Sequence, residues 1–194
     1  MDCAKVGNLI HRLRIEKNMT QKKLADLMNL SDKTVSKWER GLGCPDVSLL
    51  AELSEILGIN IEEMLTGELS PNTFVGGNMK KAKYYVCQTC GNITCCTGEA
   101  AVSCCSRKLE ALDMKKAADE EALTVEQIED DWYVTSNHPM DKAHYISFVV
   151  YATGDKIQMF KQYPEWNLQL RIPKREHGLL LWYCVKDGLY YQNI

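Results

Sequence analysis

Residues 20–41, TQKKLADLMNLSDKTVSKWERG, leave this part of the chain little choice of fold. Thr20 is placed to cap a helix, its hydroxyl accepting a first-turn N–H that has no partner inside the helix. Leu24, Leu27 and Met28 recur at helical spacing and form one apolar face. Asn29 tolerates the left-handed conformation that ends a helix. Ser31 is the next cap, Val35 and Trp38 lie three apart on a buried side, and Gly41 is the stop. The pattern predicts two short helices joined by a tight turn. Asp32, Lys33, Thr34, Ser36, Lys37 and Arg40 are left for the outer face of the second. A short helix with hydrogen-bonding side chains at its N-terminal end is what a DNA major groove admits.

Three more helices complete a bundle. Val6, Leu9, Ile10 and Leu13 mark one over about 5–17. Gly43 and Pro45 make a break, Asp46 caps a fourth helix carrying Leu49, Leu50, Leu53, Ile56 and Leu57, and Gly58 ends it. A short fifth helix, 61–65, closes the domain. Charge is divided between its two halves. Residues 5–40 carry nine basic side chains against four acids, and residues 41–70 carry six acids and no Lys or Arg. The formal net charge of −3 therefore does not argue against nucleic acid. Salt screens beyond roughly 10 Å, so the local field decides phosphate contact.

Residues 5–65 resemble the helix-turn-helix domain of the phage-repressor and Cro class, the Xre family, in Gln21 after the first cap, the small Ala25, and the ending Trp38-Glu39-Arg40-Gly41. The resemblance implies that Gln21 bonds a phosphate, that the second helix of the motif reads bases, and that Arg40 lies near the DNA backbone. Carried over by position, Lys33, Ser36 and Lys37 are the base-edge candidates, with Thr34 among the contact residues. A motif of this size touches only a few base pairs. The expected partner is therefore double-stranded DNA with an inverted-repeat operator, bound by a homodimer. On the residues alone, a small helical bundle with a solvated charged face stays open.

The stretch 67–83, GELSPNTFVGGNMKKAK, reads as a flexible linker. After it, Cys87 and Cys90 form a C-x2-C knuckle followed by Gly91, and Cys104 and Cys105 follow a short hairpin-like stretch. Thiolates two residues apart on a tight turn can point at one metal while backbone N–H groups face the sulfurs. A second pair completes a tetrahedral four-sulfur set, suited to iron or zinc. A redox-active CxxC beside unrelated buried thiols is the alternative. No apolar run approaches the roughly 20 residues of a bilayer span, and the first residues do not read as a signal peptide. The expectation is a cytoplasmic protein without membrane association, in which the nine cysteines are metal ligands before they are disulfides.

The charged stretch 106–131 is expected to hold a strand or short helix and then a loop. From Trp132 the texture turns to strands: WYVTS, HYISFVVYA, KIQMFKQY, NLQLRI and GLLLWYCV, separated by Asn, Gly, Asp and Pro. Short strands at this spacing predict an antiparallel sandwich or barrel.

The knuckle VCQTCGNI with its later CC resembles the desulforedoxin-type metal domain that opens desulfoferrodoxin. HPMDKAHYI at 138–146 and CVKDGLY at 184–190 resemble the metal-site segments of superoxide reductases. The likeness covers about 84–191. It implies an immunoglobulin-like β-sandwich with a mononuclear iron held by four histidines and one cysteine. Residue by residue the set is incomplete. His138, His144 and Cys184 match, but Asp187 stands where the last histidine belongs, and Glu120, Glu121 and Ala122 stand near the place of the first. The chain has four histidines, His11, His138, His144 and His177, so none lies between 11 and 138. His177 is seven residues from Cys184, more than roughly 20 Å away along one strand. Superoxide reductase activity, the competing enzyme reading, is therefore not expected. What remains is a possible second metal site of His138, His144, Cys184 and Asp187, for which four ligands suffice if the metal is zinc, or else a relic packed in the core. Cys95 and Cys96 fall outside the family pattern. They are either incidental thiols or a redox-active pair.

The chain is expected to be a multidomain α plus β protein: a helix-turn-helix DNA-binding domain (1–66), the linker (67–83), a small rubredoxin- or desulforedoxin-like four-cysteine metal domain (84–114), and a superoxide-reductase-like β-sandwich (115–194). The function expected is sequence-specific transcription regulation, repression in particular, with the metal region dimerising the protein, sensing iron or oxidant, or both.

Overall fold

The first helix of the computed structural model, α1 (Cys3–Glu16), begins two residues earlier than expected because Asp2 caps it, its carboxylate accepting from the N–H groups of Ala4 and Lys5. Residues 1–72, 77–174 and 177–194 are described, and the chain divides into two units, Met1–Pro71 and Asn72–Ile194. In the first, α2 (Gln21–Leu27) and α3 (Asp32–Glu39) carry the caps the sequence predicts. Thr20 accepts from the Lys23 N–H at 3.0 Å and Ser31 from the Thr34 N–H at 3.2 Å. Asn29 takes the left-handed conformation between them, and Gly41 does so after α3. Asp46 caps a 3-10 turn (Val47–Leu49) rather than an α-helix, so the fourth helix, α4 (Leu50–Leu57), starts later than its cap suggests. α5 (Ile61–Thr66) follows.

Val6, Ile10, Leu24, Val35, Leu53 and Met64 are fully buried in the common core of these helices. Gly7 lets α1 approach the end of α3: a Cβ there would lie 2.0 Å from the Trp38 carbonyl oxygen. That approach also brings Cys3 to Cys44, in the loop after α3, and the two form a disulfide. Here the expectation of metal ligands before disulfides is corrected. Neither cysteine has a second thiol or imidazole within reach to complete a ligand set among the described residues. Only the fold brings the two together.

In the second unit a 3-10 turn (Met79–Lys81), inside the stretch expected to be linker, precedes β1 (Lys83–Val86). Residues 73–76 of that stretch lie outside the described residues. β1 pairs with β2 (Ile93–Cys96), and β3 (Val102–Cys104) with β4 (Arg107–Leu109), as two hairpins. The charged stretch 106–131, expected to hold a strand or short helix and then a loop, holds β4 and two further strands, β5 (Met114–Lys116) and β6 (Thr124–Ile128). Then come β7 (Asp131–Thr135), β8 (Ile146–Ala152), β9 (Ile157–Lys161), β10 (Gln169–Pro173), β11 (Leu179–Cys184) and β12 (Gly188–Asn193). They form a three-stranded sheet, β10-β7-β6, and a five-stranded sheet, β5-β12-β11-β8-β9. Among the described residues the expected antiparallel pairing holds for every strand pair but one: β5 pairs with β12 in parallel, the two being joined by a long connection and not a tight turn.

Alternation along β8 and β11 builds two cores. Val149, Leu180 and Trp182 face Val134 and Ile172 of the smaller sheet. Phe148, Val150, Leu181 and Tyr183 face the other way, onto Ala82 and Tyr84. The alternation breaks once. Tyr183 pairs with Phe148 but Cys184 pairs with Ile146, so Ser147 is a bulge that turns Ile146 to the opposite face. The bulge sits at the end of β11 that carries Cys184.

Candidate functional site

α2 and α3 present the nucleic-acid candidates on one unit. Lys33 and Lys37 are exposed on α3, Thr34 and Ser36 are half-buried beside them, and Arg40 is exposed at the C-cap with its Nε donating to the Ser36 carbonyl at 3.1 Å. Gln21, first residue of α2, donates from Nε2 to Glu39 Oε2 at 2.7 Å, which leaves one amide hydrogen for another acceptor. Glu39 also accepts from Arg14, whose Nη1 donates to the Met19 carbonyl, and lies 2.9 Å from His11 Nδ1. Burial alone would raise the Glu39 pKa. The hydrogen bonds from Arg14, Gln21 and His11 together outweigh it and hold the carboxyl down to about 2. Sequence reasoning missed this network, because no spacing links a residue of α1 to one of α3.

The four expected thiols come together from two hairpin turns. Cys87, Cys90, Cys104 and Cys105 have sulfurs within 4.8 Å of one another. The knuckle is held by Gly91, whose N–H donates to the Cys87 carbonyl at 2.8 Å and whose φ is +70°. Cys105 and Ser106 both have positive φ in the two-residue turn between β3 and β4, a conformation that side-chain-bearing residues adopt at a cost. The backbone N–H groups of Cys90 and Thr89 hold the Cys87 thiol down to about 6. Hydrogen bonds to Cys90, Cys87 and Cys104 push Cys105 up to about 12. Sulfurs about 2.3 Å from a tetrahedral ion lie roughly 3.8 Å apart. The Cys90–Cys104 and Cys104–Cys105 separations, 3.5 and 4.0 Å, bracket that value, so the set fits a metal ion. Cys95 and Cys96 do not join the cluster, and both are free thiols. As consecutive strand residues they point to opposite faces.

The second expected set also converges. His138, His144, Cys184 and Asp187 have ligand atoms within 4.8 Å of one another. Asp187 sits in the turn between β11 and β12, which Gly188 closes at φ +98°. Its Oδ2 lies 2.6 Å from His144 Nε2, 3.1 Å from Cys184 Sγ and 3.6 Å from His138 Nε2. The N–H groups of Lys186 and Asp187 both donate to Cys184 Sγ at 3.4 Å. Asp141 orders the loop before β8 by accepting from the N–H groups of Ala143 and His144. His177 is not among these ligand atoms. Beside the set lies a cavity of about 530 Å³ whose walls include Asp119, Glu120, Glu121, His138, Cys184 and Asp187. The segment expected near the place of the missing first histidine thus reaches the cavity, and it brings carboxylates there.

A helix-turn-helix family, HTH_3, matches residues 10–64. The chain is similar to the HTH-type transcriptional activator BcrR of Enterococcus faecalis, 35% identical over 80 residues, covering 40% of this chain and 39% of that one. It is also 39% identical over 67 residues to an HTH-type transcriptional regulator, y4dJ, of Sinorhizobium fredii, covering 34% of this chain and 87% of the regulator. The chain thus spans about two fifths of the activator and most of the shorter regulator. The superoxide reductase from Treponema pallidum superposes with a TM-score of 0.51 at 18% identity, over 58% of this chain and 98% of that one, a likeness of fold. No helix among the described residues is long and apolar enough to cross a membrane.

Proposed function

We propose that this chain, which belongs through residues 10–64 to the helix-turn-helix family, regulates transcription by binding a specific DNA sequence, with its second unit as a metal-holding regulatory part. The observation that carries the reading is α3: a capped helix with Lys33 and Lys37 exposed on it and Val35 and Trp38 buried beneath. In this reading Lys33, Ser36 and Lys37 meet base edges, Thr34 and Arg40 lie at the rim, and Gln21 gives its free amide hydrogen to a phosphate. The protein acts in the cytoplasm as a homodimer on an inverted repeat, most simply as a repressor.

In the second unit, Cys87, Cys90, Cys104 and Cys105 hold iron or zinc. When bound, the metal supplies a tetrahedral cross-link between the knuckle and the β3–β4 turn. The chain's own contribution is the pair of N–H groups aimed at Cys87 and the two left-handed residues that present Cys105. The test compares Lys37→Ala with Gln21→Ala in DNA binding. Lys37→Ala loses discrimination between operator and random duplex, whereas Gln21→Ala weakens both. Equal operator affinity for wild type and Lys37→Ala contradicts the assignment of α3.

A further inference from the structure

The five-ligand iron centre implied by the superoxide-reductase-like fold does not fit the residues present. Two imidazoles and one thiolate converge, but a carboxylate takes the place of one histidine, and no further imidazole is in reach among the described residues. We propose that this set has become a closed, four-ligand site of different chemistry: His138, His144, Cys184 and Asp187 bind a redox-inert divalent cation of the zinc class. The inference rests on unit two alone and is independent of the DNA reading.

Three observations carry it. The first is an unpartnered nitrogen. His138 Nδ1 lies 2.5 Å from the Pro139 carbonyl oxygen, an acceptor, so Nδ1 donates there and the neutral ring presents a lone pair at Nε2. That Nε2 is buried without a hydrogen-bond partner, and it faces Asp187 Oδ2, another acceptor, at 3.6 Å. In the neutral ring two lone pairs meet in a buried place, a contact that a cation between them resolves, and metal stoichiometry distinguishes that ion from a proton on Nε2. Second, the groups that would orient the ligands are in place. The Pro139 carbonyl fixes one imidazole, Asp141 fixes the backbone of the other, and two N–H groups face the Cys184 sulfur. Third, the adjoining cavity is lined by Asp119, Glu120 and Glu121. Its field attracts a cation and opposes entry of an anion such as superoxide.

Two nitrogens, one sulfur and one oxygen make a four-coordinate donor set for zinc, with Zn–N and Zn–O near 2.0 Å and Zn–S near 2.3 Å, about what tetrahedral ligands roughly 3.3–3.5 Å apart require. The 3.1 and 3.6 Å separations lie to either side of this range, each within roughly 0.4 Å of its tetrahedral value. The 2.6 Å His144–Asp187 pair is a hydrogen bond that the ion replaces, opening by under roughly 1 Å. Loading moves the ring hydrogen of His144 from Nε2 to Nδ1, so that Nε2 can bind the ion as neutral imidazole, and the thiol hydrogen of Cys184 leaves as a proton to solvent.

The experiment is zinc stoichiometry of the full chain, kept reduced, loaded with excess zinc and desalted. Wild type is expected to retain two zinc ions per chain. Cys104→Ser with Cys105→Ser, His144→Ala and Asp187→Ala are each expected to retain one. In the double cysteine variant, cobalt in place of zinc is expected to give tetrahedral bands with a single-thiolate charge-transfer band that Cys184→Ser abolishes. One zinc in wild type and none in the double cysteine variant overturns the proposal, and needs no substitution at the site itself. One zinc in both leaves the proposal standing and removes the four-cysteine site instead. Two zinc ions retained by Asp187→Ala also overturns it.

Discussion

Arg14 of α1 grips Glu39 of α3 with both arms of its guanidinium, Nε to Oε1 at 2.6 Å and Nη2 to Oε2 at 2.9 Å, with both side chains almost wholly buried. Gln21, the candidate phosphate contact, hangs from the same carboxylate. The pair therefore fixes the first residue of α2 against the last residue of α3, which ties the stability of the bundle to the geometry of its candidate DNA face.

The pH dependence of the helical unit follows from that carboxylate. Its pKa in the folded state, about 2, lies below the ordinary 4.5. The unfolded chain thus binds the proton more readily, and the stability gained is complete above about 4.5 and lost as pH falls toward 2. Glu39→Gln leaves Arg14 buried without its counter-charge and costs roughly 3–5 kcal/mol near neutral pH. Denaturant unfolding at a series of pH values is expected to show the gap between wild type and variant narrowing toward pH 2. A gap that stays constant contradicts the assignment.

The Cys3–Cys44 disulfide closes a loop over a sequence separation of 41 residues. Cross-linking such a loop stabilises by about 4 kcal/mol through the unfolded chain. A strong dithiol reductant, or Cys44→Ser, is expected to lower the midpoint of helix loss in the first unit. The four-sulfur site stays assembled when metal is present. Identical unfolding of Cys44→Ser and wild type under oxidising conditions contradicts this.

Metal removal from the four-sulfur site is expected to act at a distance on DNA binding. β3 and β4 contribute no fully buried residue, so the Cys104–Cys105 turn depends on the metal for its order. Where two chains pair through this unit, losing it separates the two DNA-binding heads, and operator affinity falls by roughly 100-fold or more through effective concentration alone. Cys104→Ser with Cys105→Ser, followed by sedimentation and DNA titration, tests it. A metal-free dimer with wild-type operator affinity would leave the site a local structural feature.

Superoxide consumption by anaerobically purified, iron-loaded protein is expected not to exceed that of free metal. Only three of the five ligands that the resemblance implies are here, and the cavity beside them is lined by four acidic side chains, Asp119, Glu120, Glu121 and Asp187. Turnover that His144→Ala abolishes contradicts this.

The helix-turn-helix was legible because its signals are local. Caps, apolar spacing and left-handed stops all lie within a few residues of what they govern, and Thr20, Ser31, Asn29 and Gly41 stand in the roles their types suggest. The residues of both candidate clusters were legible from residue types and spacing, joined to a family resemblance, and the structure brings each set together. What stayed hidden depends on distant pairings. Arg14–Glu39 and Cys3–Cys44 are made by the packing of α1 on α3, and β5 lies in parallel beside a strand far along the chain, Met114 opposite Leu189. The bulge at Ser147, which breaks the β8–β11 register beside Cys184, leaves no mark in the local pattern.

The most direct test of the DNA reading is selection of bound duplexes from a random pool by the full chain, repeated with Lys37→Ala. The expected result is an inverted repeat with half-sites about one helical turn apart, bound by wild type and lost or altered in the variant, at a cost of roughly 1–3 kcal/mol per half-site contact. No enriched sequence with wild type, or the same sequence enriched equally by Lys37→Ala, would contradict the claim that α3 reads DNA.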